Sequence, residues 1–486
     1  MKRILYVLIA ISSLTLLNGC GDFLNNPPKG MTIPSNADDY QKLLANSSLM
    51  SALSSDNEYL TDNVLLFNID ASATRYVFVN KSEWLQMLYS FAPGDINAPG
   101  SADYQWNSAY DRIFVWNTVI NNVMDSKGST EQHKRALKAE ALFGRAYDYF
   151  MLVNTYGKHY NKATASTDYG VPLVLVDDIN HKITKRESVQ EVYNQIFADL
   201  KEAEGDIPAQ VAFKNHPDQC ALLAFYAKIY LFTGDYSKAL EYANKALAIN
   251  DKMLDLNDYI MKTGSTWDRV VLKADNTQRF PDIEHPEYLY VRWTRGGLQG
   301  EVALSRSLRD LFKKDIEHDT TDLRKYYFTS EDMVDFGGTP DYFKGECVYA
   351  FYSNVNAGLS TVETKLIAAE CEARVGDYTK AINHINTIRS KRFNNELGTA
   401  DYYVSASNKK EALEKVLDER RREMMMKCQR LFDLKRLNMD PETQVTYSHS
   451  VDGQTWTITP NSNLYIFPIN NVVIGYNPDM PQYDRK

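Results

Sequence analysis

Two stretches of the chain share one plan: CALLAFYAKIYLFTGDYSKALEYANKALAI at residues 220–249 and TKLIAAECEARVGDYTKAINHINTIRSKR at residues 364–392. Each predicts an apolar helix, a Gly-Asp-Tyr turn and a second helix. Ala239, Ala243 and Ala246 place small side chains on one face of the second helix, so the two helices can approach closely. A helix-turn-helix of about 34 residues is the tetratricopeptide pattern. The units are not adjacent, so we predict an all-α fold with interrupted tetratricopeptide-like repeats.

Other helices are predicted where apolar residues recur at spacings of three and four. One begins near Asn36, and a helical hairpin covers residues 104–156 with a break at Gly128. An amphipathic helix is predicted over residues 187–204, and one long charged helix over residues 409–437. These helices complete a frame around the two repeat units.

Two segments, near residues 54–103 and 250–360, interrupt this frame with long irregular loop insertions. A structureless loop of that length is improbable, so short helices, hairpins and packed loops are expected. Loops held on a rigid frame are where binding residues concentrate. The tail after Pro460 predicts a compact extended segment.

The first twenty residues, MKRILYVLIAISSLTLLNGC, are typical of a bacterial lipoprotein signal peptide. Lys2 and Arg3 give a positive start, and the apolar run after them is too short to span a bilayer as a mature helix. Cleavage would leave Cys20 as the first residue, carrying lipid. The alternative is an ordinary secretory signal that happens to contain a cysteine. The first interpretation predicts a protein that is anchored to a membrane and does not span it.

The chain is therefore divided into a signal peptide (1–19), a lipid-anchored tether (20–35) and a single domain (36–486). The formal net charge is -9, and loss of Lys2 and Arg3 with the signal makes it -11. This net negative charge argues against nucleic acid as a partner and against electrostatic docking on anionic lipid. The lipid on the tether must then provide the anchoring.

Motifs of catalysis are not found in the sequence. The eight histidines show no HExxH spacing, and GxSxG and the phosphate-loop pattern are absent. Nothing places two carboxylates together for glycoside hydrolysis. We therefore predict a protein that is not an enzyme and that needs no cofactor and no metal. Acidic residues surround the run Arg420-Arg421-Arg422, which favours ion pairs on and between helices over nucleic-acid binding.

Aromatic residues are the candidates for a binding site, because the chain holds 32 Tyr, 20 Phe and 6 Trp. Indole and phenol rings offer a flat apolar face and a polar handle, which suits sugar rings. Core packing is the competing explanation for each of them. The ligand-binding candidates in the two insertions are Tyr76, Trp84, Trp267, Tyr290, Trp293, Arg295 and Tyr342. Trp106 and Trp116 sit in a helical pattern and are assigned to packing.

Several stretches, in order along nearly the whole chain, resemble the SusD/RagB family of Bacteroidetes outer-membrane lipoproteins. They are Cys20 to Leu24, Trp106 to Asn117, Lys138 to Tyr147, Gly170 to Leu173, Glu419 to Glu423, Phe432 to Arg436 and Phe467 to Ile469. The stretches from Glu419 to Glu423 and from Phe432 to Arg436 are the most specific. The chain departs from the family pattern at Lys427, Cys428 and Leu431, which we interpret as local repacking.

The resemblance implies a SusD-like function. It implies a cell-surface lipoprotein of the outer membrane that captures an oligosaccharide and delivers it to a SusC-like TonB-dependent transporter. The RagB branch of the family implies a peptide as the alternative ligand. A tetratricopeptide scaffold that binds only protein is a third possibility. The sequence does not name the glycan or its linkage.

Overall fold

Fourteen α-helices are found where the structure, a computed structural model, describes the chain. The described residues are 34–68, 78–97, 100, 102–183, 185–262, 269–314, 321–331, 346–351, 355–398 and 400–486. The helices are α1 (Ala37–Leu44), α2 (Glu83–Tyr89), α3 (Tyr104–Asn122), α4 (Glu131–Tyr156), α5 (Val189–Ala203), α6 (Gln219–Phe232), α7 (Tyr236–Ile249), α8 (Arg306–Leu311), α9 (Leu323–Phe328), α10 (Thr361–Arg374), α11 (Tyr378–Arg389), α12 (Lys409–Glu423), α13 (Arg430–Leu437) and α14 (Asn471–Tyr476). The predicted all-α fold is confirmed.

Helix ends follow the capping residues in the sequence. Asn36 and Asp39 form a capping box at the start of α1. The backbone N–H of Gly157 ends α4 by donating to the carbonyl of Val153. Gly128, which separates α3 from α4, has a φ of +73°, a conformation that favours glycine. Local sequence therefore determines where the helical hairpin turns.

The two repeat units lie side by side although they are distant in sequence. α6 packs along α7, α10 packs along α11, and α10 also contacts α6 and α7. Ala239, Ala243 and Ala246 are fully buried at the crossing of α7 with its neighbours. This arrangement confirms the tetratricopeptide-like pairs.

The hairpin of α3 and α4 packs closely because one position on α4 has no side chain. A Cβ atom on Gly144 would lie 2.6 Å from Cε2 of Trp116 on α3. The indole N–H of Trp116 donates to Asp148, and Arg112 forms an ion pair with the same carboxylate at 2.6 Å. Trp116 is therefore a core residue, as predicted.

The strands are short and lie mainly in the two insertions. They are β1 (Ser51–Ser54), β2 (Val64–Leu65), β3 (Tyr259–Met261), β4 (Val270–Leu272), β5 (Tyr288–Tyr290), β6 (Trp293–Arg295), β7 (Ala303–Leu304), β8 (Thr329–Glu331), β9 (Cys347–Tyr349), β10 (Leu359–Ser360), β11 (Tyr447–Val451) and β12 (Gln454–Ile458). The order β2-β7-β9-β8 forms a four-stranded sheet, and the other strands pair two by two. β1 pairs with β6 in parallel, so the first insertion joins the second.

Three groups of buried side chains form the core. The largest extends from α1 through the α3–α4 hairpin and the first repeat into both insertions. A second lies between α10, α11 and α12, and a third lies within the second insertion around Tyr259 and Tyr327. Cys220, Cys347, Cys371 and Cys428 are free and buried, as expected for small apolar residues.

The prediction of one helix over residues 409–437 is wrong. α12 ends at Glu423 and α13 begins at Arg430, and Met426 and Cys428 between them have φ values of 55° and 58°. Glu58 stabilises this break, because its carboxylate accepts a hydrogen bond from the backbone N–H of Cys428 at 2.8 Å. The prediction of an extended segment after Pro460 is also only partly correct, because α14 lies within that segment.

No helix among the described residues is both long enough and apolar enough to cross a membrane. The predicted signal peptide and nearly all of the tether, including Cys20, lie outside the described residues.

Candidate functional site

The two insertions meet on one side of the helical frame. β1 and β6 pair in parallel, with Ser51 opposite Trp293 and Ser54 opposite Arg295. We call the surrounding residues 51–60, 81–89 and 293–301 the insertion junction. It brings two of the predicted tryptophans, Trp84 and Trp293, into one region of the fold.

Helix α3 fixes the position of β1 on the frame. The backbone N–H of Ser54 donates to Oε1 of Gln105 at 2.8 Å, and Nε2 of Gln105 donates to Thr155 on α4 at 3.2 Å. Asp103 caps α3 and also accepts a hydrogen bond from the hydroxyl of Tyr156 at 2.6 Å. The junction is therefore attached to the hairpin of α3 and α4.

Trp84 lies on α2 and is half-buried, with its indole held from two sides. Nε1 donates to Oδ2 of Asp56 at 3.1 Å, and the ring meets Phe467 edge to face at a centroid distance of 5.7 Å. Burial raises the pKa of Asp56, while the hydrogen bonds from Trp84 and Ser54 oppose that rise. The result is an aromatic plane of fixed orientation with a hydrogen-bond acceptor beside it.

Asn57 and Glu58 lie beneath this surface. Asn57 is fully buried, and neither its Oδ1 nor its Nδ2 has a hydrogen-bond partner. Glu58 is also fully buried, and burial raises the pKa of its carboxyl to about 7. Hydrogen bonds from Thr61 and Cys428 act in the opposite direction and lower that pKa. The junction thus contains polar groups that the surrounding fold leaves only partly satisfied.

A buried lysine joins the two insertions. Nζ of Lys81 forms an ion pair with Oε2 of Glu301 at 2.7 Å and lies 5.9 Å from the ring centroid of Tyr59. The Lys81 side chain is 5% exposed, so the pair is shielded from solvent on the lysine side. The contact holds the α2 segment of the first insertion close to the loop that follows β6.

Trp293 is half-buried at the other side of the junction. Its ring meets Tyr288 edge to face at 6.1 Å, and its backbone forms a bridge with Asn356. After β6, Gly296 has a φ of +83°, and a Cβ there would lie 2.6 Å from Oγ of Ser55. Glycine at this position lets the two insertions touch.

Tyr290 belongs to the core. It is fully buried and packs edge to face against Phe143 at 4.8 Å and Tyr147 at 5.6 Å. The guanidinium of Arg292 lies 3.7 Å from its ring centroid, and burial lowers the pKa of Arg292 to about 10. A ring enclosed in this way offers no face to a ligand, so core packing explains Tyr290.

Tyr76, Trp267 and Tyr342 lie outside the described residues. Arg295 is placed by its backbone in β6. Of the predicted aromatics, the structure therefore brings Trp84 and Trp293 to the junction and assigns Tyr290 to the core.

Sequence reasoning missed Asp56 and the pair of Lys81 with Glu301. Asp56 and Trp84 are 28 positions apart in a segment without apolar periodicity, and Lys81 and Glu301 are 220 apart. No local pattern signals contacts of this kind. Both contacts depend on tertiary packing: Asp56 meets Trp84 within the first insertion, and the pair of Lys81 with Glu301 joins the two insertions.

Two family models match the chain. One, described as starch-binding associating with outer membrane, matches residues 22–231, and the SusD family model matches residues 362–484. The two matches lie on either side of the second insertion. Together they cover well over half of the sequence.

Curated relatives carry the same family description. SusD-like protein P38 of Formosa agariphila is 24% identical over a match that covers 71% of this chain and 74% of that protein. SusD-like protein P2 of the same organism is 30% identical over 167 residues, and that match spans 34% of this chain and only 30% of the relative.

Solved structures share the fold. A SusD superfamily protein from Bacteroides thetaiotaomicron superposes with a TM-score of 0.68 at 19% identity, covering 92% of this chain and 99% of that one. A SusD-like carbohydrate binding protein from Bacteroides vulgatus gives a TM-score of 0.63 at 18% identity, covering 92% and 97%. At this level of identity the likeness establishes the architecture.

Proposed function

The chain belongs to the SusD family of binding proteins, a family associated with the outer membrane, and on that premise we propose that it captures an oligosaccharide at the cell surface. In this proposal, a lipid on Cys20 holds the protein at the membrane. A SusC-like TonB-dependent transporter receives the ligand. The protein itself carries out no reaction.

The observation that supports this proposal most directly is the insertion junction. Sugar rings have apolar C–H faces that pack on aromatic planes, while their hydroxyls need hydrogen-bond partners. Trp84 supplies a plane whose orientation is fixed by Asp56 and Phe467. Trp293 supplies a second, half-buried ring on the strand that pairs with β1. The two rings come from different insertions, so an elongated ligand could contact both.

Calorimetric titration with neutral oligosaccharides and with a peptide mixture tests the ligand class. For the oligosaccharide that binds best, Trp84→Ala or Trp293→Ala should cost about 2 kcal/mol of binding, as central aromatic anchors do. Trp84→Phe should recover part of that loss, because it keeps an aromatic face, although that face is smaller and the indole N–H is lost. Trp456→Ala, which removes a half-buried tryptophan on β12, is the matched control and should bind normally.

One result would overturn the glycan assignment, and another would overturn the location of the site. One is saturable binding of peptides with no response to any oligosaccharide, which would favour the RagB-like alternative. The other is normal sugar binding by both alanine variants, which would place the site away from the junction. Thermal unfolding of each variant separates lost binding from lost structure.

Lipidation is tested in cells. Labelled palmitate should be incorporated into the wild-type chain and not into Cys20→Ala, and the variant should leave the membrane fraction. Equal labelling of the two proteins would show that residues 1–19 are an ordinary secretory signal.

The transporter is tested by gentle extraction from native cells. A lipid-anchored capture protein does not itself carry its ligand across a membrane, so a large transporter should co-purify with it. Recovery of the lipoprotein alone under several mild detergents would contradict the delivery role and leave ligand capture intact.

A further inference from the structure

A buried lysine, Lys435, lines a cavity of about 310 Å³ at the carboxyl end of α4. One wall of the cavity comes from the turn after α4, including Lys158 and Thr164, and the other comes from α13 and the tail, including Asn461. None of the lining residues belongs to the insertion junction. The two regions can therefore be altered separately by mutation.

The hydrogen bonds of Lys435 leave one of its donors unused. The residue is 6% exposed, and its Nζ donates to the carbonyl of Gly157 at 2.6 Å and to that of Asn154. An ammonium group has three N–H donors. The described residues supply acceptors for two of them, so one N–H of a buried cation remains without a protein partner.

The positive charge of Lys435 is also only partly compensated. Among the described residues, both partners of its Nζ are backbone carbonyls at the end of α4, and no carboxylate pairs with it. The carboxyl end of a helix carries about -0.5 elementary charge, which offsets part of one ammonium charge. Burial lowers the pKa of Lys435 to about 7. Because a buried charge without a counter-charge is unfavourable, an anion in the cavity would stabilise the ammonium form.

The other titratable groups of the lining do not supply or demand that anion. Nζ of Lys158 pairs with the carboxylate of Asp168 at 2.9 Å. Burial, together with the cations of Arg436 and Lys435, lowers the pKa of His159 to about 3, so its imidazole is neutral at pH 7. Lys435 is thus the positive charge left over in this wall, although the formal net charge of the chain is -9. One excess positive charge matches a ligand with one negative charge.

Neutral hydroxyl and amide side chains form the rim of the cavity. Thr164 and Asn461 are exposed there, and Asn161 and Ser462 are half-buried. Groups of this kind suit the hydroxyls of a ligand. The volume is at the small end of the range for organic ligands and corresponds to about one sugar ring. The lining therefore fits a molecule with a carboxylate at one end and hydroxyls at the other.

We propose that this cavity binds a small hydroxylated carboxylic acid, with the chemistry of a uronic acid, and that Lys435 contacts its carboxylate. A free sugar acid and the terminal uronic acid of a glycan both present this chemistry. The site is separate from the insertion junction, where the buried titratable groups include the acids Asp56 and Glu58. Those acids do not favour a carboxylate ligand at the junction.

The test compares glucuronate with glucuronamide, its neutral amide, by calorimetry and saturation-transfer NMR. It uses the full-length lipoprotein in a detergent without a sugar headgroup, both as wild type and with Trp84→Ala and Trp293→Ala combined. In both proteins glucuronate should bind roughly ten- to hundredfold more tightly than glucuronamide, the size of one hydrogen bond between charged groups. Binding by the double variant cannot come from the two tryptophans of the junction.

Two variants locate the binding in the cavity. Lys435→Gln removes the charge and should abolish the preference for glucuronate. Thr164→Trp fills the cavity from an exposed position, leaves the contacts of Lys435 with α4 in place and should abolish binding. Thr167→Trp, in the same exposed turn but outside the lining, is the matched control and should bind normally. Circular dichroism checks the fold of each variant, and Thr164→Trp keeps the test decisive if Lys435→Gln fails to fold.

A disaccharide that ends in glucuronate separates the two sources of the ligand. Binding at least as tight as that of the monomer would indicate the end of a glycan chain. Loss of binding would indicate a free sugar acid, because the cavity then excludes the second ring.

Four outcomes would overturn the proposal. They are no saturable binding of glucuronate at millimolar concentration, equal affinity for glucuronate and glucuronamide, a preference for glucuronate that survives both cavity variants, and binding that is lost in the tryptophan double variant. The last would place the acid at the junction. None of these outcomes bears on the binding of neutral oligosaccharides there, so the proposed function is tested separately.

Discussion

Replacing Glu419 by Gln should destabilise the protein more than any surface substitution on the same helix. The Glu419 side chain is fully buried on α12 and accepts from three guanidinium groups. Its carboxylate lies 2.6 Å from Arg324, 2.8 Å from Arg422 and 3.2 Å from Arg389. Glutamine keeps the shape of the side chain and removes its charge. Its NH₂ group, itself a donor, would then face the guanidinium donors.

Two arguments give the size of the effect. Although burial acts to raise the pKa of Glu419, the guanidinium groups of Arg324, Arg422 and Arg389 lower it from 4.5 to about 2. That difference corresponds to about 3 kcal/mol of stabilisation of the ionised form. Removal of one partner from a buried ion pair costs about 3–5 kcal/mol, because the other charges stay buried. We therefore expect a loss of about 3 kcal/mol.

Chemical denaturation followed by circular dichroism measures the loss at pH 7, with Glu414→Gln as the matched control. Glu414 is on the same helix, but its side chain is 63% exposed and pairs with Lys314 at 2.9 Å. An exposed pair of this kind contributes about 0–1 kcal/mol. Equal unfolding midpoints for the two variants would refute the argument.

The pH dependence supplies a second check. The pKa of Glu419 is lower in the folded protein than in the unfolded chain, so its contribution is complete above pH 4.5 and is lost as the pH falls toward 2. The difference in the free energy of unfolding between wild type and Glu419→Gln should therefore shrink over that pH range. If that difference in stability stays constant down to pH 2, the negative charge of Glu419 is not what stabilises the wild-type protein.

Two packing predictions use the same assay. Ala239→Leu should overpack the helix crossing and cost about 1–3 kcal/mol, whereas Ala248→Leu at an exposed position of α7 should be nearly neutral. Gly144→Ala should destabilise by a similar amount because its Cβ would meet Trp116, although alanine normally favours a helix by about 1 kcal/mol. Gly475→Ala is the control, because no atom lies within 4 Å of the added Cβ, and it should show only the normal helix preference of alanine. An unchanged unfolding midpoint for Gly144→Ala would count against the close packing of α3 on α4.

The helical frame could be predicted because its signals are local. Apolar spacing, the Asn36 cap and the glycines at 128 and 157 each act within a few residues of the structure they determine. The break between α12 and α13 could not be predicted, because the sequence there is a good helix former. The contact with Glu58, 370 positions earlier, stabilises that break.

The candidate site was harder to predict for the same reason. Composition pointed to aromatics in the insertions, but it could not separate Trp84, which keeps part of its ring accessible, from Tyr290, which is fully buried. That difference depends on tertiary packing: Trp84 on α2 meets Phe467 in the tail, whereas Tyr290 on β5 is enclosed by aromatic rings of α4. These partners come from distant parts of the chain, and nothing within either insertion encodes them.

The arginine run on α12 shows how the frame controls the junction. Arg420 is buried and pairs with Glu363 of α10 at 3.1 Å and with Asp433 of α13 at 2.7 Å. The guanidinium of Arg421 pairs with the carboxylate of Asp62, in the first insertion, at 3.3 Å. The sequence predicts ion pairs for this run, and the structure shows that they are largely buried and link separate parts of the fold.

Arg422 completes the set, because its Nε donates to the carbonyl of Leu311 in the second insertion at 2.9 Å. Three consecutive residues of one helix therefore hold the repeat frame and both insertions. Buried ion pairs add little net stability compared with apolar packing, yet breaking them is costly. Their effect here is positional: an insertion that shifted relative to the frame would leave a buried guanidinium or carboxylate unpaired. The junction that carries Trp84 and Trp293 is thus kept in place by residues more than 100 positions away from either tryptophan.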